Sequence, residues 1–477
     1  MLTVHIPETC RGEIEYVLGV VFTEWLGVPF RVVVGAYEGI EIEREGAVLS
    51  LDASFFRGAA GAWLEDASMP VFPLGSLELT DVPAEIVRRL RERVPEQPGV
   101  IPVLYGEPRV VIPGAGDDGG EQGGRRVRCD VDIFGSIFFM LSRYEEVVVP
   151  DRDEHDRFPA TASVALKAGF LERPIVNEYV ELLWAMLSYL WPGLQRRKRE
   201  FRMLVSHDVD VPFEDAFRPP YWALRRTAGD VFKRRDPVAA VEQLRRWNRV
   251  RKGHLAEDRN NTFDFIMSES EKRGLTSAFY FIPKGSSDQI IRYDVDHPIL
   301  QDLLKRISER GHEIGYHASY ETFQDEDMTV QEVEYLRGAL EKAKIQQEVK
   351  GGRQHYLRWQ TPNTFRNWEA ASMTYETTLG FADHAGFRCG TCWEFPVYDV
   401  VKRRDLKLVE RPLVAMECSI TSARYRGLGY GEWAYSVFAA LKERCRLYSG
   451  DFALLWHNNE LVADEQRQFY LSTLDSQ

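Results

Sequence analysis

A chain of 477 residues, 44% hydrophobic, 28% charged and 12% aromatic, has the make-up of a globular protein with room for more than one buried core. Sixty Lys and Arg against 73 Asp and Glu leave a net charge of −13, which repels a phosphate backbone and argues against a general nucleic-acid binder, though a local basic groove can hide inside that average. Six scattered cysteines are too few for a disulfide scaffold, and no stretch approaches the ~18 uninterrupted apolar residues of a membrane span. The first ten residues, MLTVHIPETC, show no basic run leading into an apolar one, so no secretory leader is read and a cytoplasmic protein is expected.

In chain order, Ile14 to Leu26 has the apolar spacing of an amphipathic helix, Phe30 to Val34 reads as a strand and Ala84 to Arg93 as a helix. Gly114 to Gly124 is almost devoid of apolar residues and predicts a flexible surface loop. Ile133 to Tyr144 predicts a strongly apolar helix. The charge-dense Asp151 to Phe158 predicts a solvated or salt-bridged loop around His155. A helix from Val176 to Leu190 then runs into Trp191, Pro192 and the basic stretch Arg196 to Arg199. A domain boundary is expected there, with a smaller α/β domain over 1–197 and a second domain over 198–477.

The second part has a different rhythm. Phe201 to Ser206 is a strand, and a charged helical region spans Tyr221 to Arg251. Helix Phe265 to Lys272, Arg273-Gly274 and strand Thr276 to Ile282 are followed by helix Ile299 to Glu309, Arg310-Gly311 and strand His312 to His317. Helix, Arg-Gly, strand is the pattern of βα units, because Gly suits the helix C-cap. Helix Val330 to Lys344, strand Gln354 to Trp359, helix Tyr435 to Arg444 and strand Phe452 to Trp456 complete an alternation that argues for a parallel sheet.

Polar residues gather where these strands end. Ser206-His207-Asp208-Val209-Asp210, Gly315-Tyr316-His317, the run from Arg358 and Leu455-Trp456-His457 all reach the C-terminal edge, where α/β proteins build their sites. Alternation puts Ser206, Asp208 and Asp210 on one face and His207 on the other. Two carboxylates on one face repel each other unless a cation or a shared proton intervenes. His207 and His312 fall on the opposite face and are read as structural. Cys389 and Cys392 make a single CxxC pair, which without a second is weak evidence for zinc.

In this order the motifs SHDVD, GHEIGYH, an Arg-bearing strand with a following Pro, an Asp and a late LWH resemble the carbohydrate esterase family 4 polysaccharide deacetylases, the NodB-homology fold. The resemblance covers about residues 200 to 460. It implies a distorted (β/α) barrel in the C-terminal part, a divalent metal, usually zinc, and removal of an acetyl group from an N-acetylated sugar. It assigns Asp208 as general base, Asp210 and His317 as metal ligands and Arg358 as the residue that holds the base. It also assigns Asp383 as a supporting carboxylate and His457 as general acid. Where the family has a second metal His, four residues after His317, this chain has Glu321. Glu321, His355 and Cys392 are therefore alternatives for the third ligand; His355 lies at an odd offset from Arg358, which counts against it on a regular strand. Trp359, Trp393 and Trp456 could stack on sugar rings or simply pack in the core.

These readings lead to a metal-dependent deacetylase acting on a small-molecule or oligosaccharide substrate, a soluble or lipid-linked intermediate of surface-polysaccharide synthesis. Two alternatives stand beside it: a metal-independent amide hydrolase on the same barrel, as for allantoin, and a non-catalytic carbohydrate-binding or assembly protein. No motif in 1–197 converts to chemistry.

Overall fold

The computed structural model describes residues 1–113, 125–285 and 293–475, so the glycine-rich stretch 114–124 lies outside the described residues. The first half supplies β1 (Leu2–Pro7), β2 (Phe30–Gly35), β3 (Ile40–Arg44), β4 (Ala47–Leu51), β5 (Gly75–Glu78), β6 (Val100–Val103), β7 (Gly106–Val111) and β8 (Arg126–Val131). All but β5 and β6 form a mixed six-stranded sheet in the order β2-β1-β3-β4-β8-β7, and β5 pairs with β6 alone. The expected helix at Ile14 is real. It begins as an α-helix, Arg11–Leu18, and continues as a π-helix, Gly19–Leu26. The apolar helix at Ile133–Leu141 is buried throughout, and Ile175–Leu190 packs against it.

The second half is built on β9 (Arg202–Val209), β10 (Ser277–Phe281), β11 (Glu313–Ala318), β12 (Gly352–Gln354), β13 (Tyr375–Glu376), β14 (Phe395–Asp399), β15 (Arg404–Glu410), β16 (Ala415–Met416) and β17 (Asp451–Leu455). Six of them form a parallel half-barrel, β12-β11-β10-β9-β17-β16. The fold is mixed α/β, as the alternation of elements implies. Its helices cover the outer face with apolar stripes such as Leu300, Leu303, Leu304 and Ile307. β13, β14 and β15 form a separate three-stranded sheet that the sequence reading did not anticipate.

That small sheet is where the first half docks. Tyr16 donates its hydroxyl to the Pro396 carbonyl (2.7 Å), and Trp25 donates Nε1 to the Glu394 carbonyl (2.8 Å). Glu13 takes Arg403 at 2.6 Å. Deeper in, Arg388 grips both oxygens of Glu146 at 2.8 Å, and Arg143 bonds Glu146 and Glu145. All four side chains are at most 2% exposed. Among the described residues no helix is long and apolar enough to cross a membrane.

His207 lies behind β9, on the face opposite Asp208. One ring nitrogen bonds the Trp456 carbonyl (2.8 Å), the other faces Ser277 Oγ (3.3 Å), and the ring stacks on Phe279. His312 is likewise structural, its Nδ1 accepting from the Ser277 N–H at 3.0 Å. Burial pushes the His207 pKa down to about 3. An unfolded chain protonates this group below about 6.5. The stability gained by burying it neutral is therefore complete above that pH and is lost as pH falls toward 3. Urea titrations between pH 7 and 4 should show a steeper loss of stability in the parent protein than in His207→Gln.

Candidate metal and acid–base site

At the C-terminal edge of the half-barrel, alternate residues of adjacent strands face the same interior. Ser206 and Asp208 on β9, Tyr280 on β10, His317 on β11 and Arg353 on β12 meet there. Gly315 is required in this layer. A Cβ at that position would come within 2.5 Å of the Tyr280 ring and 2.6 Å of the Gly351 carbonyl oxygen. Parallel pairing sets His317 opposite Arg353, so two residues further on His355 reaches the same rim.

Asp210, just beyond β9, is the centre of the cluster. Its Oδ1 lies 3.2 Å from His317 Nε2 and 3.5 Å from His355 Nε2. His317 Nδ1 sits 2.9 Å from the Arg353 carbonyl, which accepts its proton and leaves the Nε2 lone pair facing Asp210. Asp210 Oδ1 and His317 Nε2 are both buried without a hydrogen-bond partner among the described residues. Two lone pairs held this close need a proton or a cation between them. Ligand atoms on a tetrahedral ion with bonds of ~2.0–2.1 Å stand about 3.3 Å apart, which matches the spacing here. Asp210, His317 and His355 thus offer three ligand atoms that fit a divalent ion. Without one, burial works against a charged His317, but the Asp208 and Asp210 carboxylates outweigh it and raise its pKa.

Asp208 is 2% exposed and is bound by Arg353, whose Nη1 donates to Oδ1 at 2.7 Å. Arg353 is fixed in turn by the Thr377 carbonyl (2.8 Å) and Ser206 Oγ (2.9 Å). Burial would raise the Asp208 pKa, but the Arg353 guanidinium and His317 outweigh it and hold the group below the ordinary carboxylate range. Across the cleft, His457 Nε2 points at Asp210 Oδ2 from 3.8 Å, while Nδ1 bonds Glu417 Oε1 at 2.5 Å. Burial alone would lower the His457 pKa; the Glu417 charge reverses this and pushes it well above its ordinary value.

Several residues sit differently from the sequence expectations. Arg358 is not beside Asp208. β12 ends at Gln354, and His355–Leu357 is a 3₁₀ turn in which Tyr356 and Leu357 have φ of 62° and 53°. Beyond this turn Arg358 stacks on Phe323 and Tyr320 and donates to the His155 (2.8 Å) and Tyr320 (2.9 Å) carbonyls. The turn also breaks the alternation that had counted against His355. Glu321 is exposed, because the chain turns away after β11. Asp383 pairs with its neighbour His384 (3.1 Å), and the carboxylate behind His457 is Glu417. Cys392 is buried away from the cluster, where its Sγ meets Gly450, and Cys389 is also buried. Trp359, Trp393 and Trp456 are core residues, each at most 1% exposed.

The cleft above the cluster has a volume of about 250 Å³ and is bordered by Tyr356, Tyr425, Cys418 and Arg424. The first half of the chain contributes to it. Arg157 lines the wall, braced by Asp153 and by the Tyr356 carbonyl (2.8 Å), and Glu154 pairs with Arg424. The loop Asp151 to Phe158 is salt-bridged, as its charge implied.

Residues 2–192 match the model of a family of unknown function, DUF7033. No curated protein matches the chain. Among solved structures, the chain is similar to a protein described as a polysaccharide deacetylase from Mycobacterium smegmatis, at 14% identity and a TM-score of 0.39, over 58% of this chain and 84% of that one. It is also similar to the allantoinase Puue, at 12% identity and a TM-score of 0.34, over 60% of this chain and 85% of that one.

Proposed function

We propose that the chain is a metal-dependent hydrolase that removes an acetyl group from an N-acetylated sugar, with zinc as the expected ion. The observation that carries this reading is the convergence of three separate devices in one cleft. They are a two-His, one-carboxylate cluster (Asp210, His317, His355), an ionised carboxylate held by Arg353 (Asp208) and a carboxylate-backed imidazole (His457 with Glu417). Such a donor set suits zinc and other first-row divalent ions. A bound divalent cation supplies a Lewis acid for the amide carbonyl and makes a water more acidic.

The chain's own residues divide the proton work. Asp208, kept ionised by Arg353, takes a proton from the attacking water. His457, kept protonated by Glu417, gives one to the departing sugar nitrogen. Tyr356 and Tyr425 stand at the cleft edge and can pack on a sugar ring. A missing second histidine fits the metal-independent alternative; the position of His355 beside Asp210 and His317 favours the metal-dependent one.

Acetate release from N-acetylhexosamine oligosaccharides tests the reading. Chelated protein should be inactive and zinc should restore it; amide turnover that survives chelation contradicts the proposal. His457→Ala should lower kcat by about 10²–10⁴ with little change in KM. Glu417→Gln removes the charge that raises the His457 pKa, so the alkaline limb of the pH–rate profile should move to lower pH. An unmoved limb means that another group sets it.

A further inference from the structure

Between the end of β9, which carries the site, and the helix Phe263–Glu271, the chain makes a helical hairpin, Pro220–Phe232 and Pro237–Arg251. Its root is well anchored. The Asp258 carboxylate accepts the Glu214 and Asp215 N–H groups (2.8 Å each), and Asp215 holds Gln243 (3.1 Å) and Arg246 (2.9 Å). The inner stripe, Ala223, Asp230, Ala240, Gln243 and Val250, is buried.

The outer surface is unlike the rest of the molecule. Of the thirteen large apolar side chains exposed among the described residues, seven lie between 221 and 244. They include Tyr221, Leu224, Val238 and Val241, and Phe232 at the tip is 82% exposed. Residues 231–238 are exposed without interruption. Residues 218–252 carry eleven Lys and Arg against three Asp and Glu, in a chain whose net charge is −13. At the tip Arg234 pairs with Asp230, whereas Lys233 and Arg235 have no carboxylate partner among the described residues.

We propose that this hairpin is a docking surface for an anionic lipid bilayer, its tip entering the headgroup layer. Basic and apolar side chains interleaved on one face are what a negatively charged interface takes up, the charges by attraction and the apolar groups by burial. A second copy of the chain is disfavoured because two such faces repel each other. Nucleic acid would satisfy the arginines but leave Phe232, Leu224 and Val238 in water. The hairpin leaves the sheet at the edge that carries Asp208 and Asp210, so docking would hold the cleft near membrane-borne substrate. The inference stands on this surface alone, whatever reaction the cleft performs.

Co-sedimentation of the full chain with phosphatidylcholine vesicles, with and without phosphatidylglycerol, tests it. Binding is expected to the anionic vesicles only and to weaken in high salt. The triple variant Lys233→Glu/Arg234→Glu/Arg235→Glu should lower the affinity by more than about tenfold, since each basic residue near such a surface is worth about fivefold. Phe232→Ser/Val238→Ser should also weaken it, with an unchanged circular dichroism spectrum in both variants. No binding at low salt, or binding that neither variant alters, overturns the proposal. So does retention of a DNA duplex in place of vesicles, or a dimer that Phe232→Ser/Val238→Ser dissolves.

Discussion

Asp208→Asn should lower kcat by about 10²–10⁴ while the protein keeps its full complement of metal. The amide is nearly isosteric, and its oxygen can still accept from Arg353 Nη1, which donates to Asp208 Oδ1 at 2.7 Å. What it cannot do is take a proton. On the proposed assignment Asp210, His317 and His355 remain to hold the ion, so metal content separates loss of the base from loss of the ion. Arg353→Met probes the same assignment from the other side. Without the guanidinium the Asp208 pKa rises, and because the proposed base works in its ionised form, the acid limb of the pH–rate profile should move to higher pH. If Asp208→Asn instead empties the site, Asp208 is a ligand and the roles of the two carboxylates are reversed.

Arg388→Ala should lower folding stability by about 3–5 kcal/mol, because it strips a buried carboxylate of a partner. Arg388 meets both Glu146 oxygens and donates Nη1 to the Gly380 carbonyl at 2.9 Å, joining a helix of the first half to the connection between β13 and β14 of the second. Burial alone would raise the Glu146 pKa, but Arg388 and Arg143 outweigh it and hold it at about 2. A carboxylate lowered in the folded state stabilises fully above its unfolded value of about 4.3 and loses that contribution as pH falls toward 2. Urea unfolding at pH 7 measures the loss. A change below about 1 kcal/mol would mean that the pair is solvated rather than buried.

The parts of the site that follow simple alternation were legible in the sequence. Ser206 and Asp208 share a face, His207 packs behind the strand, and Asp210, His317 and His457 stand at strand ends. The rest depended on where a strand stops. Reading Gln354 to Trp359 as a strand made Arg358 the reference, and from Arg358 His355 looked misplaced. The strand in fact ends at Gln354, and measured from Arg353 the histidine is two residues away. The signal was present in Gly351-Gly352-Arg353-Gln354-His355. A Cβ on Gly352 would lie 1.7 Å from the Tyr316 carbonyl oxygen, so the glycine marks the close pairing that aims Arg353 and His355 inward. Glu417 had no such local mark. It follows the two-residue strand β16, and only the tertiary fold brings it to His457, forty positions along the chain. Docking of the first half on β14 and β15 was equally invisible, because contacts such as Tyr16 to Pro396 join residues 380 apart in sequence.

The most direct test of the account is the metal content of four single variants purified alongside the parent protein. Asp210→Ala, His317→Ala and His355→Ala should each lose the bound ion, measured as metal per chain by plasma mass spectrometry. Glu321→Ala should retain it, because that side chain faces solvent. Full occupancy in His355→Ala, or loss of the ion in Glu321→Ala, would contradict the assignment of the third ligand and with it the geometry on which the proposed hydrolase rests.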